Sequence, residues 1–311
     1  MSGKYKRFLV PLAPGGAVKL PKHVIPVVTE IRGSFAEVLV TDRAAKYLRE
    51  RRYAAELSLP REYLSVTQVE MYMRCPLQYY WRYVMGLKVP PRADLVYGRA
   101  THEMAETNYT QKIDTHSDLP VEAFKDAWHT SFAAQEAEIE WDAGEDPKAI
   151  HKEGLATAEL FARHIAPEVQ PTHVEQEYTL EFENTDFGLK GVIDVVDSQR
   201  RLRDTKTSGR TPDADTISNS LQMKTYPLGF QSAFGEAPSE LVMDYVVRTK
   251  VQKYVRLTAA PPTLAATNRA LKTIAHVGRA IRDGSFYPCA PGSWVCSPKW
   301  CGYWSLCHQD W

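Results

Sequence analysis

The stretch Gly191-Val-Ile-Asp194-Val-Val-Asp197-Ser-Gln-Arg200-Arg-Leu-Arg203-Asp204-Thr-Lys206 reads as two short strands about a tight turn. With Ser198 to Arg200 as the turn, Asp197 pairs with Arg201, and the same register sets Asp194 directly across from Asp204. Side chains alternate along a strand, so Asp204 and Lys206 point one way and Thr205 the other. Asp197, three residues beyond Asp194, falls on the opposite face and reads as a turn residue. Cross-strand neighbours have Cβ atoms roughly 4.5–5.5 Å apart, and like charges placed there repel. A divalent cation held between the two carboxylates removes that penalty.

Two carboxylates bind Mg²⁺ or Mn²⁺ through oxygen. Such an ion lowers the pKa of bound water and stabilises charge building on a phosphate. Lys206 is suited to orient that water or to neutralise the developing oxyanion. Asp-x-Lys alone also fits an ordinary surface hairpin. Its place on a strand, ten residues after Gly191-Val-Ile-Asp194, is what points to metal-dependent phosphodiester chemistry.

Outward from this hairpin the strand-rich centre comprises His173 to Glu183, Gly188 to Asp197 and Leu202 to Thr207. A helix over Asp215 to Phe230, an apolar strand over Leu241 to Arg248 and a helix over Thr263 to Asp283 follow. Upstream, Thr67-Gln-Val-Glu70 has the form of a capping box opening a helix. Cys75-Pro76 interrupts it, and an aromatic-rich helix with Tyr79, Tyr80, Trp81 and Tyr83 follows. Further helices are predicted over Val96 to Gln111, Val121 to Ile139 and His151 to Ile165. Residues 1–60 look separate, with extended pieces (Phe8 to Pro11, His23 to Val28, Ala36 to Val40) and a charged helix over Thr41 to Arg52. The order predicts an α/β fold: a mixed β-sheet flanked by helices, with a helical part over 61–170, a core over 171–285 and a Cys-rich tail over 286–311.

The 311 residues are 44% hydrophobic, as in a soluble globular protein. No run of about 18 apolar residues exists, so no membrane span is expected, and the first residues do not form a signal peptide. A cytoplasmic location is expected. With 38 basic and 38 acidic residues the net charge is zero, which argues against a histone-like binder but leaves room for a local basic groove. The clusters Arg200, Arg201, Arg203 and Lys250, Lys253, Arg256 read as solvated edges.

Gly191-Val-Ile-Asp194 with Asp204-Thr-Lys206-Thr-Ser resembles the core of the PD-(D/E)xK nucleases, in particular their RecB-like exonuclease branch. Gly98-Arg-Ala-Thr-His102 resembles that branch's Gly-x-x-x-His motif, which implies that His102 helps to bind metal. Gln222-Met-Lys-Thr-Tyr226 resembles its Gln-x-x-x-Tyr motif and implies that both residues contact DNA near the scissile phosphate. Pro227 directly after Tyr226 predicts a helix that bends or ends early. An acid is common in this branch on the strand before the core hairpin, which implies Glu177, with Glu175 on the same face as the alternative. The Thr205 carbonyl is a further ligand the resemblance supports. A nitrogen ligand beside carboxylates favours Mn²⁺ over Mg²⁺.

Cys296-x₄-Cys301-x₅-Cys307 is a spacing at which thiolates ligate soft metals, and with no secretory signal disulfides are not expected. AddB-type and CRISPR-adaptation nucleases hold a 4Fe–4S cluster with one early and three late cysteines, and Cys75-Pro-Leu-Gln-Tyr79 resembles the early context. The resemblance implies Cys75, Cys296, Cys301 and Cys307 as ligands. The first late gap is four residues where two is usual, so Cys289 or His308 stands as a substitute, with Zn²⁺ as the alternative metal. Such a cluster would staple a long chain loop. Tail aromatics (Trp294, Trp300, Tyr303, Trp304, Trp311) fit either base stacking or packing about a metal centre.

The resemblance covers residues 62–307 and implies a bacterial, archaeal or phage-encoded metal-dependent DNA exonuclease acting on single strands or DNA ends, with a recombination, helicase or CRISPR-adaptation partner. The rival readings are a catalytically inactive nuclease fold that binds DNA or a partner, and a zinc-dependent nucleic-acid-binding module.

Overall fold

The computed structural model of the chain describes residues 5–13, 17–18, 20, 27–32, 35–41, 55–56, 63–182, 185 and 187–310. Elements run β1 (Tyr5–Ala13), β2 (Ala17–Val18), β3 (Val27–Arg32), β4 (Phe35–Thr41), β5 (Ala55–Glu56), β6 (Tyr63–Leu64), α1 (Val66–Arg74), α2 (Pro76–Tyr79) and a π-helical turn (Tyr80–Val84). Then come α3 (Ala93–Thr115), α4 (Val121–Glu136), α5 (Pro147–His164), β7 (Pro171–Glu181), β8 (Gly188–Asp197) and β9 (Arg201–Ser208). The chain continues with α6 (Thr216–Asn219), α7 (Leu221–Phe234), β10 (Glu240–Val247), β11 (Lys253–Ala259), α8 (Leu264–Arg282) and α9 (Trp304–Asp310). These elements divide between two units, residues 1–89, 181–189 and 272–311 in the first, and 90–180 and 190–271 in the second.

In the first unit β1 pairs antiparallel with β2, β4 and β5, and β3 with β4. Alternation along these strands buries Phe8, Val10, Ala36, Val38 and Val40 on one side. The charged helix expected over 41–52 lies outside the described residues, apart from Thr41 at the end of β4. Helix α1 starts two residues before the expected box: the Ser65 hydroxyl accepts from the Gln68 amide at 3.2 Å, and Gln68 Oε1 accepts from the Ser65 amide at 2.8 Å. Cys75 is extended and Pro76 opens α2, so the Cys-Pro pair is a step in the chain. Beyond it the Tyr79 and Tyr80 rings pack on Phe286, centroids 6.2 and 5.2 Å away.

In the second unit the sheet runs β11-β10-β9-β8, with β7 also on β8. β9 and β10 are parallel; β8–β9 and β10–β11 are antiparallel. A parallel pair needs a crossover, which α6 and α7 supply. Helices α3, α4 and α5 share one core with the sheet, built on Tyr97, Met104, Trp128, Phe132, Phe161, Val195 and Val246. The fold is thus mixed α/β with a mixed sheet flanked by helices, as expected. Strand β11 was not foreseen, because Lys253 and Arg256 read with Lys250 as a basic cluster at a solvated edge. Among the described residues no helix is long and apolar enough to cross a membrane.

Candidate active site

The β8–β9 hairpin has the expected register, with Val195 opposite Arg203 and Val196 opposite Leu202. Its turn is closed by Asp197, whose Oδ1 accepts from the backbone amides of Gln199 and Arg201, each at 3.0 Å, while Arg200 takes the left-handed conformation at φ 60°. Gly191 has a packing reason. A Cβ there would stand 2.3 Å from the Tyr178 ring of β7, and one on Gly229 of α7 would meet the same ring at 2.3 Å. Tyr178 therefore lies closely between β8 and α7, and its hydroxyl bonds Thr225 Oγ1 at 2.9 Å. That contact sets α7 where the next residue, Tyr226, reaches the carboxylates. The helix does not end early but continues through Pro227 to Phe234, and Tyr226 reaches the carboxylates.

Four expected side chains converge on the pair. His102 Nδ1 lies 3.1 Å from Asp194 Oδ2, which also accepts from the Thr205 amide at 3.3 Å. Tyr226 Oη lies 3.2 Å from Asp194 Oδ1 and 3.5 Å from Asp204 Oδ1. Lys206 Nζ donates to Asp204 Oδ1 at 2.8 Å and to Gln222 Oε1 at 3.3 Å, and Gln222 Nε2 donates to Tyr226 Oη at 2.6 Å. Lys206, Gln222, Tyr226 and Asp204 form one closed polar ring, to which Asp194 is joined through Tyr226. Asp204 is fully buried and its Oδ2 has no hydrogen-bond partner among the described residues.

The electrostatics are uneven. Burial would raise the Asp194 carboxyl, but the hydrogen bond and charge of His102, with Lys206, hold it below the usual carboxylate range. Burial pushes Asp204 up to about 6, Lys206 offsetting this in part and Asp194 reinforcing it. Burial acts against charge on His102 as well, yet Asp194 raises its imidazole. Burial alone would strip charge from Lys206, and Asp204 and Asp194 outweigh it.

Glu177 is exposed and pairs with Lys190 at 2.7 Å. The acid of β7 that senses the site is Glu175. Its residue is open to solvent, but partial burial of its carboxyl, together with Asp194 and Glu106, pushes it up to about 7. Glu175 has φ 49°, a left-handed kink within β7. No sequence signal marks that kink. Arg203 and Arg256, expected at a solvated edge, belong instead to a charge network. Arg203 donates to Asp197 at 2.9 Å and to Asp244 at 2.6 Å, and Arg256 donates to Asp244 at 3.1 Å.

The donor set fits a hard divalent cation: one buried and one half-buried carboxylate, a nearby imidazole, a third acid and one orphaned carboxylate oxygen. As placed, no three His, Cys, Asp or Glu side chains among the described residues stand close enough to hold a metal ion. His102 and Lys206 close the carboxylate oxygens instead.

In the other unit Cys75, Cys289, Cys296, Cys301 and Cys307 line one pocket with Leu77, Trp81, Val295, Tyr303 and Trp304. All five are free thiols. Burial, then the neighbouring Cys296, Cys75, Cys301 and Cys289, pushes Cys307 up to about 11, and burial also raises Cys75 and Cys301. The donor chemistry suits a soft metal centre. The side chain of His308 and residue Trp311 lie outside what the structure describes. Tyr303 is buried with its hydroxyl on the Leu87 carbonyl at 2.8 Å, whereas Trp294 and Trp300 are exposed.

Among solved structures, a candidate exonuclease from Eubacterium rectale aligns with a TM-score of 0.50 and 13% identity over 86% of this chain and 92% of that one, a likeness of fold. A protein designated SSO0001 aligns with a TM-score of 0.36 and 13% identity over 86% and 98%. No curated protein matches. Residues 63–308 match the sequence profile of the PD-(D/E)XK nuclease superfamily, a span that holds both aspartates, Lys206, His102 and all five cysteines. By that match over most of its length, the chain belongs to the PD-(D/E)XK nuclease superfamily.

Proposed function

We propose that this protein is a divalent-metal-dependent deoxyribonuclease of the RecB-like branch, working exonucleolytically on single-stranded DNA or resected ends. The observation that carries the reading is the polar network about Asp194 and Asp204, in which a fully buried carboxylate oxygen, Asp204 Oδ2, is left without a partner among the described residues. Asp194, Asp204 and His102 are the residues to hold Mn²⁺ or Mg²⁺, with Glu175 in place of Glu177 and the Thr205 carbonyl as a further ligand. A bound cation would supply Lewis acidity to the phosphate and lower the pKa of its water. Lys206 then offers its ammonium to the non-bridging oxygens as negative charge builds there, its position fixed by Asp204 and Gln222. Gln222 and Tyr226 lie on one helix face and orient the strand.

The cysteine pocket is proposed to hold a 4Fe–4S cluster through Cys75, Cys296, Cys301 and Cys307, with Cys289 available as a substitute in the same pocket. Its role is to hold the pocket's segments together. Recombination, break repair and CRISPR adaptation are the settings that use this chemistry, with a helicase or adaptation protein as partner.

The test is degradation of end-labelled single-stranded DNA by anaerobically purified protein with Mn²⁺, beside Lys206→Ala and an EDTA control. Cleavage by wild type alone is expected, with the product ladder giving polarity. Folded, metal-loaded protein that leaves the DNA intact sinks the enzyme reading. Absorbance near roughly 400 nm with matching iron content is expected of the cluster, and bound zinc with no iron overturns it.

A further inference from the structure

Within the second unit, one face of α5 and the segment after β10 enclose a groove of about 690 Å³, away from the carboxylate ring. Helix α5 contributes Lys152, Glu153, Ala156, Glu159, Arg163 and His164, which recur at helical spacing along that face. The opposite wall is Arg248, Thr249, Lys250 and Gln252. The acids of this groove are already used. Glu153 accepts two hydrogen bonds from Arg248, both at 3.1 Å, and Glu159 is paired with Arg163 and Lys125. Lys152 and Lys250, one on each wall, are exposed and have no ion-pair partner among the described residues.

Arg248 makes the floor rigid. Its guanidinium lies 3.8 Å from the Tyr97 ring centroid and also bonds Asp94 of α3 at 2.8 Å. The same residue ties the groove to the proposed site. The Arg248 amide donates to the Ser208 carbonyl at 2.7 Å, and Ser208 is two residues past Lys206, roughly 7 Å along β9. Along α3, Asp94 and His102 are eight residues apart, roughly 12 Å of helix rise.

We infer that this groove carries the sugar-phosphate backbone of the substrate strand beyond the reacting phosphate, with Lys152 and Lys250 as the phosphate contacts. The inference rests on the nuclease reading and extends it. It makes the groove an electrostatic, sequence-indifferent grip that lengthens the bound strand and engages no base edge. Two phosphate contacts to a single strand give a salt slope of about −1.4, equivalent to roughly 25-fold in affinity at ~0.1 M monovalent salt.

The experiment uses the full chain in the Lys206→Ala background and measures binding of a 30-nucleotide oligothymidylate across a salt series. The double variant Lys152→Gln/Lys250→Gln is expected to bind roughly 10- to 30-fold more weakly at ~0.1 M salt, with a salt slope shallower by about 1.4. The double variant Lys88→Gln/Lys272→Gln makes the same change of net charge outside the groove and is expected to bind as the parent does. With Lys206 restored, the groove variant should cleave a dinucleotide substrate, too short to reach the groove, like wild type and show a raised KM only on the 30-mer. Unchanged affinity and slope, or an equal loss in the Lys88/Lys272 control, overturns the groove while cleavage of the short substrate keeps the nuclease reading. A wild type that neither binds nor cleaves DNA overturns both.

Discussion

Strands β8 and β9 carry two charge clusters only a few residues apart, and they differ in charge balance. Each keeps buried polar atoms without a partner among the described residues, Arg203 Nη2 and Arg256 Nη2 in the first and Asp204 Oδ2 in the second. At one, Asp197 and Asp244 are matched by Arg203, Arg201 and Arg256, and Tyr254 adds a hydroxyl to Asp244 at 2.6 Å. At the other, Asp194, Asp204 and Glu175 share one lysine and one histidine, and one buried oxygen has nothing. Alternation puts Arg203 and Asp204, neighbours in sequence, on opposite faces. The matched cluster holds Asp197 below its ordinary pKa despite burial, through Arg203 and Arg201. In the unmatched cluster burial pushes Asp204 up to about 6 and, with Asp194 and Glu106, Glu175 to about 7. Perturbed carboxylates of that kind mark functional sites. Surplus negative charge in a folded interior is a standing cost that a bound cation relieves.

The largest expected effect breaks the matched cluster. Arg203→Met leaves two buried carboxylates without their central partner, and a loss of about 3–5 kcal/mol in urea unfolding is expected. The pH dependence carries a sign. A carboxylate lowered in the fold contributes stability above its unfolded pKa and loses it as pH falls through the folded value, so wild type weakens below about pH 4. The variant's deficit should therefore shrink on acidification. A deficit that stays constant from pH 7 to 3 would show that Arg203 acts by packing alone.

The unmatched cluster should respond the other way. Asp204→Asn removes the surplus charge and is expected to stabilise the metal-free protein by about 1–3 kcal/mol at pH 8, while abolishing cleavage. A carboxyl raised from 3.8 to about 6 binds more protons folded than unfolded between those values, so metal-free wild type loses stability as pH rises through that window. The variant should lose less there, keeping only the slope that the raised Glu175 carboxyl carries. Mn²⁺ at about 100 times its dissociation constant should return roughly 2.7 kcal/mol to wild type and nothing to the variant. Destabilisation by Asp204→Asn at pH 8 would mean that the carboxylate is matched after all.

How much of this was legible in the sequence follows from what each feature depends on. The hairpin register, the shared face of Asp204 and Lys206 and the helical spacing of Gln222 and Tyr226 are periodicities, and the structure has all three. The reach of Tyr226 past Pro227 depends on the Tyr178 ring between Gly191 and Gly229, a tertiary fit with no local signature. Arg203 and Arg256 read as solvated because their partner Asp244 sits 41 and 12 residues from them on another strand. The same misreading hid β11, whose Lys253, Tyr254 and Arg256 alternate as a strand should.

The smallest effect separates the two acids of β7. Glu177 is exposed and its pair with Lys190 is a surface one, so Glu177→Gln should change stability by less than about 0.5 kcal/mol and leave Mn²⁺ affinity unchanged. Glu175→Gln should weaken Mn²⁺ several-fold by titration calorimetry, because it removes one of three carboxylates at the site. It should also raise the metal-free melting temperature slightly, since a carboxyl pushed up to about 7 is carried as surplus charge above that pH. The φ of 49° at Glu175 makes the comparison sharper still. Glu175→Gly relieves that conformation at the same time as it deletes the acid, so it should be more stable than Glu175→Gln yet equally weak for metal. Equal Mn²⁺ affinity in Glu175→Gln and wild type, with a loss in Glu177→Gln, would return the β7 ligand to Glu177 and make the kink at Glu175 a feature of the metal-free fold alone.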